Sequence, residues 1–569
     1  MKILLVAINA KYIHANLAVH TLRAYARQHV RREDIEIETA EYTINQQKDD
    51  ILRDIYEKEA DMVCFSCYIW NRAYVVSLVR ELGKLCPDTL LWLGGPEVSY
   101  DARDVLFRLT EVKGVMRGEG ECTFAELCEG RPLKEIAGIT FRQEDGVICE
   151  NEWRAPMDLD EVPFIYQDLD PFRNKIIYYE SGRGCPFSCS YCLSSVDKRL
   201  RFRSLSLVKK ELGFFLKQKV PQIKFVDRTF NCSHSHAAEI WRFLLEHDNN
   251  TTNFHFEISA DLLNEEELEL IRAMRPGLIQ LEIGVQSTNE RTIKEIRRTM
   301  DMAKLTRTVA ALRDWGNVHQ HLDLIAGLPY EDMGSFSRSF DEVYRLKPHQ
   351  LQLGFLKVLK GSYLEEKKED YGLACKSEPP YEVLYTRWLS YKDIIKLKGI
   401  EEMVEVYYNS RQFTHTLPEV ERVFASPFRM YGKLWEYYRE KGLDGIQHKR
   451  SKRYEILLDF VRCVCRRPEG ELWSERVREL LVYDYYLREN AKTRPAFAKE
   501  NPLGKEKARQ FYEEEEKSRV YLPGYESYDK NQMRKMTHLE YFPALKKTVL
   551  FDYMHRNPVG HEARTCEWR

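Results

Sequence analysis

Long apolar runs are missing: no stretch of the 569-residue chain approaches the roughly 20 uninterrupted apolar residues of a membrane-spanning helix, so no membrane partner is expected. Neither sign of charge dominates. The 87 Lys and Arg residues face 89 Asp and Glu, a net charge of −2, which excludes a globally basic nucleic-acid clamp and an acidic tail. Glycine and proline are sparse, at 28 and 21, so the chain is neither collagen-like nor low-complexity. The opening Met1–Asn9 lacks the long apolar core and small-residue cleavage site of a signal peptide. Together these absences predict a soluble, cytoplasmic protein with several domains of roughly 100–200 residues each.

What is present in unusual number is cysteine, at fourteen. In a reducing compartment these thiols stay unpaired, and a cluster among them suggests metal or redox chemistry. Cys64, Cys67, Cys86, Cys122, Cys128, Cys149, Cys232 and Cys375 lie singly or in apolar stretches, where cysteine acts as a small hydrophobe. Cys463 and Cys465 sit in a helix-like stretch and read the same way. Cys185, Cys189 and Cys192 differ.

The first 130 residues alternate apolar β-type runs (Ile3–Ile8, Ile35–Ala40, Met62–Ser66, Leu90–Leu93, Val112–Met116) with amphipathic segments of helical length. This predicts a doubly wound, Rossmann-like α/β domain over 1–135, which binds ligands beyond the carboxyl ends of its strands. Those strand ends carry Tyr12, His14 and Asn16, then Ser66, Tyr68 and Trp70, then Gly94-Gly95-Pro96-Glu97, then Gly118-Glu119-Gly120-Glu121. Paired glycines admit a large ligand close to the backbone. No GxGxxG follows the first strand, so a dinucleotide is not the natural occupant. A hairpin over 137–152 and a proline-bearing stretch, Asp158–Pro171, make 136–170 a connecting segment.

Beyond it stands Cys185-Pro-Phe-Ser-Cys189-Ser-Tyr191-Cys192. Three thiolates at CxxxCxxC spacing hold three irons of a [4Fe–4S] cluster and leave the fourth open, which is how a metal centre engages a substrate. Zinc is the alternative, with Cys232 or His234 as fourth ligand, although the second CxxC or HxxxH of common zinc patterns is missing. Strand-like runs at Ile176–Glu180, Ile223–Val226, Phe254–Ile258, Leu278–Ile283, His319–Ile325 and Leu351–Val358 alternate with helices, predicting a partial (β/α)6 barrel over 171–360. Polar strand ends recur at Asp227–Phe230, Glu257–Ser259, Glu282–Ser287 and Asp323–Pro329. From 361 to 569 the pattern predicts a mostly helical domain, in which the basic run His448–Arg453 reads as a solvated helix face rather than a nucleic-acid track.

The cysteine spacing, with Tyr191 between the last two thiols, resembles the radical SAM superfamily, and the strand-end loops in front of it resemble the cobalamin-binding domain of class B radical SAM methyltransferases. The resemblance implies a [4Fe–4S] cluster on Cys185, Cys189 and Cys192, with S-adenosylmethionine on its open iron. It places Tyr191, Ile325 and Leu328 beside adenine, Asp227 and Thr229 at the methionine amino group, and Glu257, Gln286 and Ser287 at the carboxylate or ribose. It places cobalamin against Tyr12, His14, Asn16, Ser66, Tyr68, Trp70, Gly94, Gly95, Pro96, Glu97, Gly118, Glu119 and Gly120. Two departures stand out. Tyr12 and Leu17 replace the Asp and Gly of the motif Asp-x-His-x-x-Gly, so His14 is either a cobalt ligand or a loop residue. The loop after the second barrel strand lacks the usual Gly-Gly-Glu.

The activity implied is methyl transfer from methylcobalamin to an unactivated carbon after a 5′-deoxyadenosyl radical abstracts hydrogen. The alternatives are cobalamin-assisted ring contraction, cyclisation or oxidation, RNA modification, and a cobalamin sensor with a structural cluster. Implied partners are an electron donor such as flavodoxin or ferredoxin and a small-molecule substrate, favoured over nucleic acid. The family's C-terminal domains commonly cap the barrel mouth, so Tyr407–Phe413 is expected to border the active site.

Overall fold

The computed structural model describes residues 1–464 and 470–568, so Cys465 lies outside the described residues. Its first sheet pairs β1 (Lys2–Asn9), β2 (Glu36–Thr43), β3 (Met62–Ser66), β4 (Leu90–Gly94) and β5 (Val112–Met116) in parallel, in the order β2-β1-β3-β4-β5. Helices cover both faces, which is why Ile3–Ile8 is buried throughout. Strand order reverses at β1, between β2 and β3, opening a crevice beyond their carboxyl ends. The expected hairpin is present as β6 (Ile139–Arg142) and β7 (Ile148–Glu150). It is more than a connector, because β6 pairs antiparallel with β5 and extends the first sheet.

A second sheet starts at β8 (Ile177–Tyr179). Next, β9 (Gly182–Arg183) and β10 (Arg201–Phe202) pair antiparallel and tie off the loop 184–200 that carries the three cysteines. β11 (Gln222–Phe225), β12 (Asn253–Ile258), β13 (Ile279–Gln286), β14 (His319–Ala326) and β15 (Gln350–Phe355) then follow β8 side by side, all parallel, as six βα units of an open barrel. In β13, Ile279, Leu281, Ile283 and Val285 are fully buried, while Gln280, Glu282, Gly284 and Gln286 between them are half-buried. The period of two puts the apolar set under the helices and the polar set in the lumen.

After the short pair β16 (Ala374–Cys375) and β17 (Val383–Tyr385), helices dominate. Ile394, Leu397, Tyr407, Leu434 and Leu457 share one apolar core with Leu351 and Phe340 of the barrel, so the core runs across the boundary expected at 360. The last part differs from the helical expectation: β18 (Thr537–Phe542), β19 (Lys547–Arg556) and β20 (Ala563–Trp568) form an antiparallel sheet with two small cores of its own. The run His448–Arg453 leads into a helix on which Arg450 pairs with Glu489 (3.2 Å) and Lys452 with Glu455 (2.7 Å). Tyr407–Phe413 does not border the cysteine loop. Tyr407 is buried against Tyr438, and Asn409 donates to the Leu351 carbonyl at the start of β15, the far end of the barrel. Among the described residues, no helix is long and apolar enough to cross a membrane.

Candidate active site

The cysteine loop is held by its own backbone. Gly184 has φ +91°, and a Cβ there would stand 2.4 Å from the Arg199 carbonyl oxygen, so only glycine fits. The Cys185 amide donates to Asp197 O (3.2 Å), and Ser195 Oγ donates to the carbonyls of Cys189 (2.9 Å) and Cys192 (2.6 Å). The amide of Ser190 donates to Ile296 O (2.9 Å). Rigid in this way, the loop turns all three thiols toward one cavity of about 570 Å³ at the carboxyl ends of the barrel strands. Arg298 approaches Cys189 Sγ at 4.0 Å, a fixed positive charge beside the thiols.

The three thiols fit a cluster better than a zinc ion. Among the described residues, only Glu282, His321 and Asp323 bring ligand atoms within 4.8 Å of one another; the cysteines with a fourth residue do not. His234, the histidine considered as a zinc ligand, faces Glu267 at 3.1 Å. Three thiols around open space, too far apart to close on one ion, suit a multi-iron cluster with an open position.

Two carboxylates, Glu282 and Asp323, line this cavity, and basic side chains stand behind them. Glu282 accepts from Lys224 (3.2 Å) and faces His255 Nε2 (3.0 Å), and His321 Nε2 lies 3.0 Å from Asp323. Burial pushes the Glu282 carboxyl up, but the His255 hydrogen bond and the charges of Lys224 and His321 outweigh it and hold the pKa near 2. Arg228 pairs with Glu257 at 2.7 Å on the wall.

A second cavity, of about 530 Å³, occupies the crevice of the first sheet. Gly94, Gly95, Gly118 and Gly120 line it together with Leu17, Phe65, Tyr100 and Met116. At Gly95, with φ +107°, a Cβ would meet the Cys67 carbonyl oxygen at 2.5 Å; the bare backbone leaves the room that a broad, flat cofactor needs. The two cavities share Tyr68, Pro96 and Arg228 as common wall. A buried clasp fastens the two sheets beside that wall: Arg183 pairs with Glu121 (2.5 Å), Glu180 (2.9 Å) and Glu119 (3.7 Å), and Arg201 with Glu119.

Cys185, Cys189, Tyr191, Cys192, Thr229, Glu257 and Gln286 line the thiol cavity, as do Tyr68, Trp70, Pro96 and Glu97. Ser66, Tyr68, Gly94, Gly95, Pro96, Gly118, Glu119 and Gly120 line the crevice. Other expected residues stand elsewhere. Tyr12 is 67% exposed, and His14 Nδ1 shares a hydrogen bond with Tyr178 of β8 at 2.6 Å. Asn16 caps the helix Leu17–His29 by accepting from Val19 N. Asp227 lies behind the wall, accepting from Ser181 N (3.0 Å) and Oγ (2.6 Å), and Ser287 donates to the buried Glu331 at 2.8 Å. Leu328 is buried in the barrel core, and Ile325 is half-buried on the same side of β14 as His321 and Asp323. Lys224, His255, His321, Arg228, Arg183 and Arg298 were not anticipated as site residues. The alternation of polar with apolar residues within β12, β13 and β14 is the signal that finds the lumen set.

Residues 3–128 match the family model of the B12 binding domain, 179–343 that of the radical SAM superfamily, and 369–556 that of a protein family of unknown function, DUF4080. An uncharacterized methyltransferase of Pyrococcus horikoshii is 27% identical over 276 residues, covering 46% of this chain and 58% of the relative. The cobalamin-dependent radical SAM methyltransferase TokK of Streptomyces tokunonensis is 26% identical over 347 residues, covering 55% of this chain and 50% of the relative. The chain thus spans about half the length of these curated relatives. The structure of OxsB with aqua-cobalamin and S-adenosylmethionine superposes with a TM-score of 0.56 at 15% identity, covering 85% of this chain and 78% of that one. TsrM from Kitasatospora setae gives 0.54 at 17% identity, covering 67% and 78%. At such identities the likeness concerns the fold. Residues 179–343 thus carry a radical SAM superfamily domain, and a B12 binding domain, 3–128, precedes it.

Proposed function

We propose that the protein is a cobalamin-dependent radical SAM enzyme that methylates an unactivated carbon of a small molecule. One observation carries this reading: the crevice of the B12 binding domain and the thiol cavity share Tyr68, Pro96 and Arg228, so groups held in the two face one substrate space. When bound, the cluster with S-adenosylmethionine supplies a radical for hydrogen abstraction and cobalamin supplies a methyl group, chemistry that no side-chain acid or base performs.

The chain's own residues bind, orient and exclude water. Cys185, Cys189 and Cys192 would hold the cluster, and Arg298 offsets the negative charge gathered there. Tyr191, Thr229, Glu257 and Gln286, beside the thiols, offer the aromatic and polar contacts for S-adenosylmethionine. Ser66, Tyr68, Gly94, Gly95, Pro96, Gly118 and Gly120, which line the crevice, would hold cobalamin, while His14 is hydrogen-bonded to Tyr178. Glu282 and Asp323, which line the cavity, are placed to orient polar groups of the substrate, with Lys224, His255 and His321 holding them from behind. Glu119, Glu121, Arg183 and Arg201 keep the two cavities in register.

The test is anaerobic reconstitution with iron, sulfide and cobalamin, followed by assay of S-adenosylmethionine cleavage under reducing conditions. Cleavage that Cys189→Ala abolishes supports the reading. Reconstituted protein that never cleaves S-adenosylmethionine refutes it.

A further inference from the structure

A third cavity, of about 590 Å³, lies in the C-terminal region, between the loop after residue 409, the end of the helix Gly470–Arg488 and the β19–β20 turn. Arg411, Arg488, Arg556 and Arg564 line it with His415 and His555, against one carboxylate, Glu562. Some of this charge is matched from behind: Arg564 pairs with Asp552 (2.8 Å), His555 with Asp552 (2.7 Å) and His415 with Asp484 (2.8 Å).

The rest is not. Among the described residues, the Arg411 guanidinium has no hydrogen bond or ion pair, and its buried Nε has no partner. Arg556 donates only to the backbone carbonyls of His561 (2.9 Å) and Arg488 (3.3 Å). The Arg488 side chain is 8% exposed; it donates to the Gly560 carbonyl and pairs loosely with Glu562 at 3.7 Å, while its Nε is without a partner. Burial, more than the charge of Arg411, lowers the pKa of Arg488 against the opposing pull of Glu562.

The backbone is built to present Arg411. This residue has φ +56°, a left-handed conformation rare outside glycine, and lies two residues past a short π-helix, Val404–Asn409. Both features cost free energy and concentrate at functional sites. Tyr483 and Leu487 supply an apolar wall. The cavity is separate from the radical chemistry: the charge of Arg411 acts on His319 and His349 at the amino ends of β14 and β15, opposite the cysteine loop.

We propose that this cavity binds a phosphate-bearing small molecule, with the phosphate on Arg411, Arg488 and Arg556 and the organic part against Tyr483 and Leu487. Converging guanidiniums suit phosphate oxygens because each presents paired, charge-assisted donors.

The test is calorimetric titration of the full chain with inorganic phosphate, pyrophosphate and adenosine monophosphate. Saturable binding is expected, tighter for adenosine monophosphate than for inorganic phosphate. Arg411→Asn keeps a residue that tolerates the left-handed backbone and should weaken binding about tenfold, the loss of one charge-assisted contact. Glu562→Gln removes the lining carboxylate and should tighten binding, a gain that misfolding cannot imitate. Arg509→Gln, at a site 75% exposed on another helix, should change nothing. Equal affinity in wild type, Arg411→Asn and Glu562→Gln would overturn the site. Adenosine monophosphate no tighter than phosphate would overturn the organic subsite, and an RNA oligonucleotide that binds more tightly and loses affinity in Arg411→Asn would overturn the small-molecule assignment.

Discussion

Glu331 offers a direct test of how the barrel sets its polar chemistry. The residue is fully buried; its Oε1 accepts from Ser287 Oγ (2.8 Å) and Ser339 Oγ (3.1 Å), while Oε2 has no hydrogen-bond partner. Burial raises its pKa from the ordinary 4.5 to about 7, more than the two serines lower it. Folding therefore carries a proton that the unfolded chain has already lost. The stability from this group is complete below pH 4.5 and disappears as pH rises through about 7. Between about pH 6 and pH 8, on average half a proton per pH unit separates the two states, worth about 1.4 kcal/mol in total. Glu331→Gln should remove that fall. The amide left without a partner shifts stability equally at every pH, so the slope is the quantity to read. Urea unfolding followed by circular dichroism at the two pH values measures it. A variant as pH-dependent as the wild type would refute the assignment.

Other perturbations separate the two cavities. Arg183→Met leaves the buried Glu121 and the half-buried Glu180 without their shared partner, while Glu119 keeps Arg201, and should cost about 1–3 kcal/mol in urea unfolding; no measurable loss would contradict the clasp. Gly95→Ala forces a Cβ to within 2.5 Å of the Cys67 carbonyl oxygen, so the purified variant should retain less corrinoid; full retention would mean that the crevice is not the corrinoid site. His14→Ala should leave the absorption spectrum of bound corrinoid unchanged, because His14 is turned to Tyr178; a shifted spectrum would identify it as a cobalt ligand.

Local pattern made the architecture legible, and three-dimensional register hid the rest. The cysteine loop reads directly because its spacing lies within eight residues, and both sheets read from apolar runs separated by helices. Lys224, His255 and His321 are single polar residues in otherwise strand-like runs. Only the successive pairing of β11 with β12, β12 with β13 and β13 with β14 gathers them behind Glu282 and Asp323. Parity explains the residues that stand behind the wall. At the irregularity after Gly284, Gln286 adopts φ +71° and enters the cavity, and the next residue, Ser287, turns outward to Glu331. A one-residue step decides which face a side chain reaches. The clasp through Arg183 joins residues about 60 apart in sequence, and no local motif announces it. The final sheet went unforeseen because its strands sit among charged and aromatic residues that fit a helix face equally well.

The central claim is that one substrate space receives both a radical and a methyl group, and product stoichiometry tests it most directly. Anaerobic protein loaded with cobalamin and cluster is given reductant, S-methyl-labelled S-adenosylmethionine and the small-molecule fraction of a cell extract. The account predicts 5′-deoxyadenosine and S-adenosylhomocysteine in equal amounts, with the label in a small-molecule product. Sustained 5′-deoxyadenosine without S-adenosylhomocysteine would contradict methyl transfer.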